Sequence, residues 1–252
     1  MNKRGQIAIF VIIAAVVVSS IVIFFFLRRA PVGVGEASFD PEQYIQQCVG
    51  PSINDVVDII LPQGGFLNPL SFKVYNDTKV AYMCKTDGYY GEKCQNIHPM
   101  LISEINGEIK SFISPVVESC FESMKTELGK RQAIVELENT NEIDVSMTPG
   151  KVFATVVKNI QITEKETTKT FDKFDIETTS PIYNLASVAM NIADHEAKYC
   201  YFEYVGYMAF DTSVDIRKFM MSDSTKIYKI KDRASEKIMN IAIRSCAMPA
   251  GL

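Results

Sequence analysis

The sequence predicts an α+β protein: an N-terminal transmembrane helix, then an antiparallel sheet with amphipathic helices packed on it. Three observations lead there. Residues 6–27 run QIAIFVIIAAVVVSSIVIFFFL without a charge. Beyond residue 40 the apolar period changes from 3.6 to 2 and back. The resulting order, helix, hairpin, helix, meander, helix, hairpin, is that of an α+β fold.

The 22 residues of the uncharged run would span about 33 Å as a helix, enough to cross a bilayer. The run is longer than a secretory signal's hydrophobic region, and FFFLRR follows it where a small-residue cleavage site would stand. Residues 1–5 are then a cytoplasmic tip, 6–27 the span and 28–40 a linker, whose APVGVGEASFD stretch is rich in glycine and small residues. Residues 41–252 form the folded domain, with a sub-boundary expected near 130.

Asp40-Pro41-Glu42-Gln43 reads as a helix start, with N-cap, first-turn proline and capping-box glutamine. Tyr44, Ile45, Cys48, Val49, Ile53, Val56, Val57 and Ile60 continue it at helical spacing, kinked at Pro51 and ended by Pro62 and Gly64-Gly65. Phe72 to Thr86 reads as a hairpin turning at Asn76-Asp77, with Val80, Tyr82 and Cys84 inward. A second helical region covers about 99–128, with Leu101, Ile105, Ile109, Phe112 and Ile113 before a break at Pro115 and Val116, Val117, Cys120 and Met124 after it.

Strands follow at Ala133/Val135/Leu137, Ile143/Val145/Met147 and Val152/Ala154/Val156, turned by Asn139-Thr140-Asn141 and Pro149-Gly150. Further strands are expected at 158–164 and 169–177, with Glu164–Lys169 as an exposed tip. Ser180-Pro181 opens a third helix whose stripe is Ile182, Leu185, Ala186, Ala189, Ile192 and Ala193. Residues 199–210 fit helix or strand, and 226–231 and 237–245 read as closing strands around Asp232–Ser235.

Composition narrows function. Apolar residues make up 47% and charged residues 22%, which excludes disorder. Net charge is −4, yet Lys3, Arg4, Arg28 and Arg29 all precede residue 30, where no acid occurs. Setting those four aside leaves 22 of the 26 basic residues against 30 acids, so the remainder carries −8 and offers no attraction for nucleic acid.

Six cysteines, Cys48, Cys84, Cys94, Cys120, Cys200 and Cys246, all follow the apolar run and none falls in a CxxC pair. An even number without metal spacing predicts disulfides, hence an exported domain and a cell-membrane location with the C-terminal part extracytoplasmic. The expected pairs are Cys84–Cys94, which brackets a turn, Cys48–Cys120, on the buried stripes of two helices, and Cys200–Cys246, which remain.

Lys3-Arg4-Gly5-Gln6 followed at once by an apolar stretch resembles the class III, prepilin-type signal of archaeal surface proteins. The resemblance implies cleavage after Gly5, leaving Gln6 as the new amino terminus. Arg28, Arg29, Pro31, Gly33 and Gly35 depart from filament-forming members, whose helix runs on into the head. The rest is similar in layout to uncharacterised membrane-anchored proteins of archaea with small genomes.

No nucleophile elbow, P-loop or H-E-x-x-H occurs. Only two histidines occur, His98 and His195, and a catalytic triad or a histidine-based metal site must draw on them. Cys94-x3-His98 lacks a second ligand pair, and Asp194-His195-Glu196 reads as a solvated polar face. No metal or cofactor is expected. Tyr199, Tyr201, Phe202, Tyr204, Tyr207 and Phe210 could stack on sugar or peptide, though core and sheet-face positions are the simpler reading. Asn76-Asp77-Thr78 is a glycosylation sequon at a hairpin tip.

The sequence therefore reads as a single-pass, membrane-anchored surface protein and not an enzyme. Its ectodomain would bind protein or glycan partners or assemble in the envelope, with the bilayer itself a partner through residues 6–27. A minor pilin-like subunit of a filament or secretion system is the alternative, and a membrane-tethered hydrolase a third reading.

Overall fold

The computed structural model describes residues 39–89, 91–138, 142–164 and 166–248. Contacts group Pro41–Leu252 into one unit. Among its described residues are four α-helices, α1 (Pro41–Ile60), α2 (Leu101–Lys130), α3 (Ile182–Tyr199) and α4 (Tyr204–Phe210), and a 3-10 helix at Leu61–Gln63. Ten strands are described: β1 (Phe72–Tyr75), β2 (Thr78–Lys85), β3 (Gln95–Asn96), β4 (Ile134–Leu137), β5 (Glu142–Thr148), β6 (Lys151–Glu164), β7 (Thr167–Thr179), β8 (Val214–Met220), β9 (Lys226–Asp232) and β10 (Ile238–Arg244).

The fold is α+β with two sheets. In the first, β6 pairs along its whole length with β7 and, on its other side, with β5 and then β4, all antiparallel. The strands expected at 152–156 and 158–164 are one continuous β6, with a register shift between Val157 and Ile160. Pro149-Gly150 makes the β5–β6 turn, Gly150 taking a φ of 80° that its missing Cβ permits. The alternating residues Ile143, Val145, Met147, Val152, Ala154, Val156, Phe174 and Ile176 are buried, and this sheet packs on α1 and α2.

Pro115 does not break α2, which runs unbroken through 30 residues. A proline inside a helix costs about 3 kcal/mol. Against that, Leu101, Ile105, Ile109, Ile113, Val117, Phe121, Met124 and Leu128 lie buried along one stripe, at roughly 1.5–3 kcal/mol for each large apolar side chain. Packing wins by a wide margin. Pro51 likewise sits inside α1.

The second sheet has the order β1-β2-β10-β9-β8, with β3 on β2. The expectation of a purely antiparallel sheet is corrected here, because β10 lies parallel to β2. A parallel pair needs a long crossover, and everything between Lys85 and Ile238 supplies it. As a central strand β2 buries Val80 through Cys84 on both faces instead of alternating. Its hairpin with β1 turns at Asn76 and Asp77, with φ of 47° and 61°, a mirror-type two-residue turn. Helix α3 packs on one face of this sheet and touches α2.

Disulfides join Cys48 to Cys120, Cys84 to Cys94 and Cys200 to Cys246. They tie α1 to α2, close the segment after β2, and fasten the end of α3 to the residue two beyond β10. The Cα separations, 6.0, 5.4 and 5.7 Å, are ordinary for bridged pairs.

The expected membrane architecture is corrected. Among the described residues no helix is long and apolar enough to cross a membrane. Helix α2 has the length, but Glu104, Glu108, Lys110, Glu118, Glu122, Lys125 and Glu127 place charge on nearly every turn, and each would have to enter hydrocarbon. The readings that depended on an anchor are withdrawn with it: the class III archaeal surface-protein likeness, the pilin-like subunit, the N-terminal transmembrane helix, the bilayer as partner through residues 6–27, and a membrane-anchored envelope protein of the cell membrane. The run 6–27, the Gly5–Gln6 junction, most of the 28–40 linker and the turn Asn139–Asn141 lie outside the described residues.

Candidate binding face

Strand β8 is not expected from the sequence, and it separates an aromatic surface from a cationic one. It forms because Val214 and Ile216 alternate into the core while β9 supplies a partner; the loop between them is closed by Met221 N donating to Thr225 O at 2.7 Å. Asp223 accepts from Thr225 N and from Lys73 Nζ, at 3.2 and 2.6 Å. The lysine and the backbone donor hold the Asp223 carboxyl below its ordinary range against the opposing effect of burial.

At the ends of the hairpin, Arg233 N donates to Ser213 O and Met221 N to Thr225 O. This phase bonds residues 213, 215, 217, 219 and 221 to the β9 side. It turns the N–H and C=O groups of Val214, Ile216, Lys218 and Met220 outward, because hydrogen-bonded and non-bonded pairs alternate in an antiparallel ladder. Val214 O accepts from Arg233 Nε at 3.0 Å, and Ile216 N donates to Met208 Sδ of α4 at 3.0 Å. The outward groups of Lys218 and Met220 have no backbone partner among the described residues. β8 is therefore an edge strand, blocked by α4 at its start and open at its end.

The two faces beside this edge differ. On the α3 side lies a ledge of exposed aromatics: Tyr199 is 58% exposed, Tyr201 48% and Phe210 94%, with Val205 at 60%. Of the six aromatic residues in 199–210 only Phe202 is in the core, and α4 buries no residue at all. Glu203 caps α4 by accepting from Gly206 N at 3.3 Å and also accepts from the Tyr201 hydroxyl at 2.5 Å. That shared hydrogen bond raises the phenol and, with the backbone amides, lowers the carboxyl. Lys218 lies over Tyr201 and Tyr204, 4.9 and 5.4 Å from the ring centres.

On the opposite face Arg217, Lys229, Lys231 and Asp215 line a shallow cleft of about 190 Å³ with Ile238, and Arg233 lines its neighbour. Arg217 stands directly opposite Lys229 across the ladder, and Asp215 opposite Lys231. A like-charge pair placed so is destabilising. Arg217 Nε reaches Asp215 at 3.2 Å and Lys231 pairs with Glu236, so four cations meet two carboxylates in a chain whose net charge is −4.

Beneath the ledge Glu196 is fully buried. It accepts from Lys226 Nζ and from the Tyr228 hydroxyl, both at 2.5 Å, while Lys226 also donates to Cys200 O at 2.6 Å. Burial first, and the Glu196 charge second, push the Tyr228 phenol far above its ordinary value. Glu196 and Tyr228 are each at 0% exposure, so no substrate reaches them, and the trio fixes the end of α3 to β9.

The histidines go elsewhere. His98 Nδ1 meets Glu104 at 2.5 Å with its ring 4.5 Å from Phe66. His195 is exposed, bonded to Asn191 O at 2.9 Å and edge-on to Phe202. Cys94 is consumed by its disulfide, and among the described residues no cluster of three His, Cys, Asp or Glu could hold a metal. Asn76 is exposed in its turn. No family model, curated protein or solved structure matches the chain.

Proposed function

We propose that the domain works by contact and not by catalysis, and that it binds polypeptide through the α4–β8 face. The observation that supports this most is α4 itself: a seven-residue helix, YVGYMAF, that is almost wholly apolar yet buries none of its residues. Exposed Val205 and Phe210, with Tyr199 and Tyr201 beside them, concentrate apolar and aromatic surface where a monomeric fold gains nothing from it. Such surface is what binding sites use, aromatic side chains above all.

Neither histidine supports the hydrolase reading. Both are held by local partners, and the one strongly perturbed tyrosine belongs to a trio closed to solvent.

The test is selection of peptides from a display library against the full chain. Selected binders should weaken at least tenfold on Val205→Ser and Phe210→Ser variants, while circular dichroism and thermal midpoint stay unchanged. Binders indifferent to both substitutions would place the working surface elsewhere.

A further inference from the structure

We infer that the open end of β8 takes up an extended acidic segment of a partner protein by strand addition, the acidic side chains lying on the Arg217/Lys229 face and the apolar ones on the aromatic ledge. The inference rests on the contact reading above and supplies the partner's chemistry.

Three independent features of the edge converge. The N–H and C=O groups of Lys218 and Met220 point away from β9, and together they offer two donors and two acceptors to an incoming strand, the hydrogen-bond pattern of β-strand addition. The added strand would alternate its side chains between the two faces of the sheet. On one face they would meet Arg217, Lys229, Lys231 and Arg233, with Asp215 and Glu236 as the carboxylates paired to them among the described residues. On the other they would meet Lys218 stacked over Tyr201 and Tyr204, with Met220 exposed beside them.

The like-charge pair Arg217–Lys229 costs stability, and Asp215 answers it on the Arg217 side. An acidic side chain from the partner converts that repulsion into two charge-assisted contacts.

A second copy of the chain fits the same edge poorly. Pairing β8 with itself would bring Arg217 and Lys218 of both copies together, and edge charges of this kind oppose self-association.

The probe is a synthetic octapeptide alternating Glu with Phe and Val, titrated by fluorescence anisotropy against the full chain, beside a control peptide with every Glu replaced by Lys. The acidic peptide should bind at least tenfold more tightly than the basic one and weaken with salt. The double charge reversal Arg217→Glu with Lys229→Glu should abolish the preference. Lys218→Pro removes a single outward N–H and leaves the β9 ladder whole, so it should weaken binding at least tenfold, whereas Lys218→Ala, which keeps that N–H, should retain most of it.

Equal binding of the two peptides, or full binding by a correctly folded Lys218→Pro variant, overturns strand addition of an acidic segment. If Phe210→Ser and Val205→Ser abolish binding of display-selected peptides while Lys218→Pro and the charge reversal do not, the contact reading survives and this inference fails. A dimer of the wild-type chain in sedimentation that Lys218→Pro dissociates would assign the edge to a second copy and overturn it as well.

Discussion

Glu196 shows how one helical position decides between surface and core. In Asp194-His195-Glu196 the 100° step between residues points His195 to solvent, sends Asp194 to Asn96 Nδ2 at 2.7 Å, and turns Glu196 inward. The buried carboxylate is tolerable because Lys226 and Tyr228 satisfy it. Burial, and then the second negative charge that ionisation would place beside Glu196, hold the folded-state pKa of Tyr228 above the unfolded value near 10. The stabilisation is complete below about pH 10. As pH rises beyond that the unfolded chain releases the proton first, and stability falls by about 1.4 kcal/mol per pH unit for this one group. Denaturant titrations from pH 9 to 11.5 should therefore show a steeper alkaline loss in the wild type than in Tyr228→Phe. Equal slopes would show that the phenol's environment contributes nothing. Reading 194–196 as a uniformly solvated face missed this residue, although Ile192 and Ala193 in the same stripe are four and three positions before it and carried the signal.

Helices α1, α2 and α3 were the easiest elements to foresee, because each has a continuous buried stripe, which α4 lacks. Prolines misled, since the expected break at Pro115 weighs about 3 kcal/mol for the proline against a stripe worth several times that. Strands were legible where both neighbours bury one face, as in β5 and β6. β8 was missed because the alternation of Val214-Asp215-Ile216-Arg217 stops at Lys218, leaving only Val214 and Ile216 to look inward. The same charges make it a candidate site, so the element hardest to see is the one with most to do. The α1–α2 pair has its own test. Cys48 and Cys120 are separated by 72 residues, and a loop of that size is worth about 4 kcal/mol in the chain-entropy model. Replacing both cysteines by Ala should lower unfolding free energy by roughly 2–4 kcal/mol while far-UV circular dichroism is kept. A loss below 0.5 kcal/mol would mean that α1 and α2 hold together by packing alone.

Across the molecule charge and apolar surface are distributed unevenly. The chain carries −4 overall, yet the β8–β9 face gathers Arg217, Lys229, Lys231 and Arg233, and the exposed Tyr199, Tyr201 and Phe210 sit on the other side of the same edge strand. Net charge alone gives no warning of a local cationic face, which the β8–β9 register creates by setting residues 217 and 229 opposite each other. The α+β class was readable from the order of periodicities. The mixed character of the second sheet was not, because nothing local in Ile238–Arg244 tells it to lie beside β2 rather than next to β9 alone.

Binding at β8 requires an edge strand whose free end faces solvent. Residue-resolved amide hydrogen exchange on the full chain without any partner tests this most directly. Arg217 and Phe219, whose amides donate toward β9, should exchange slowly, and Lys218 and Met220, whose amides point outward, should exchange at rates near those of an unstructured chain. Uniform protection at all four residues would show that the edge is already covered, and would contradict it.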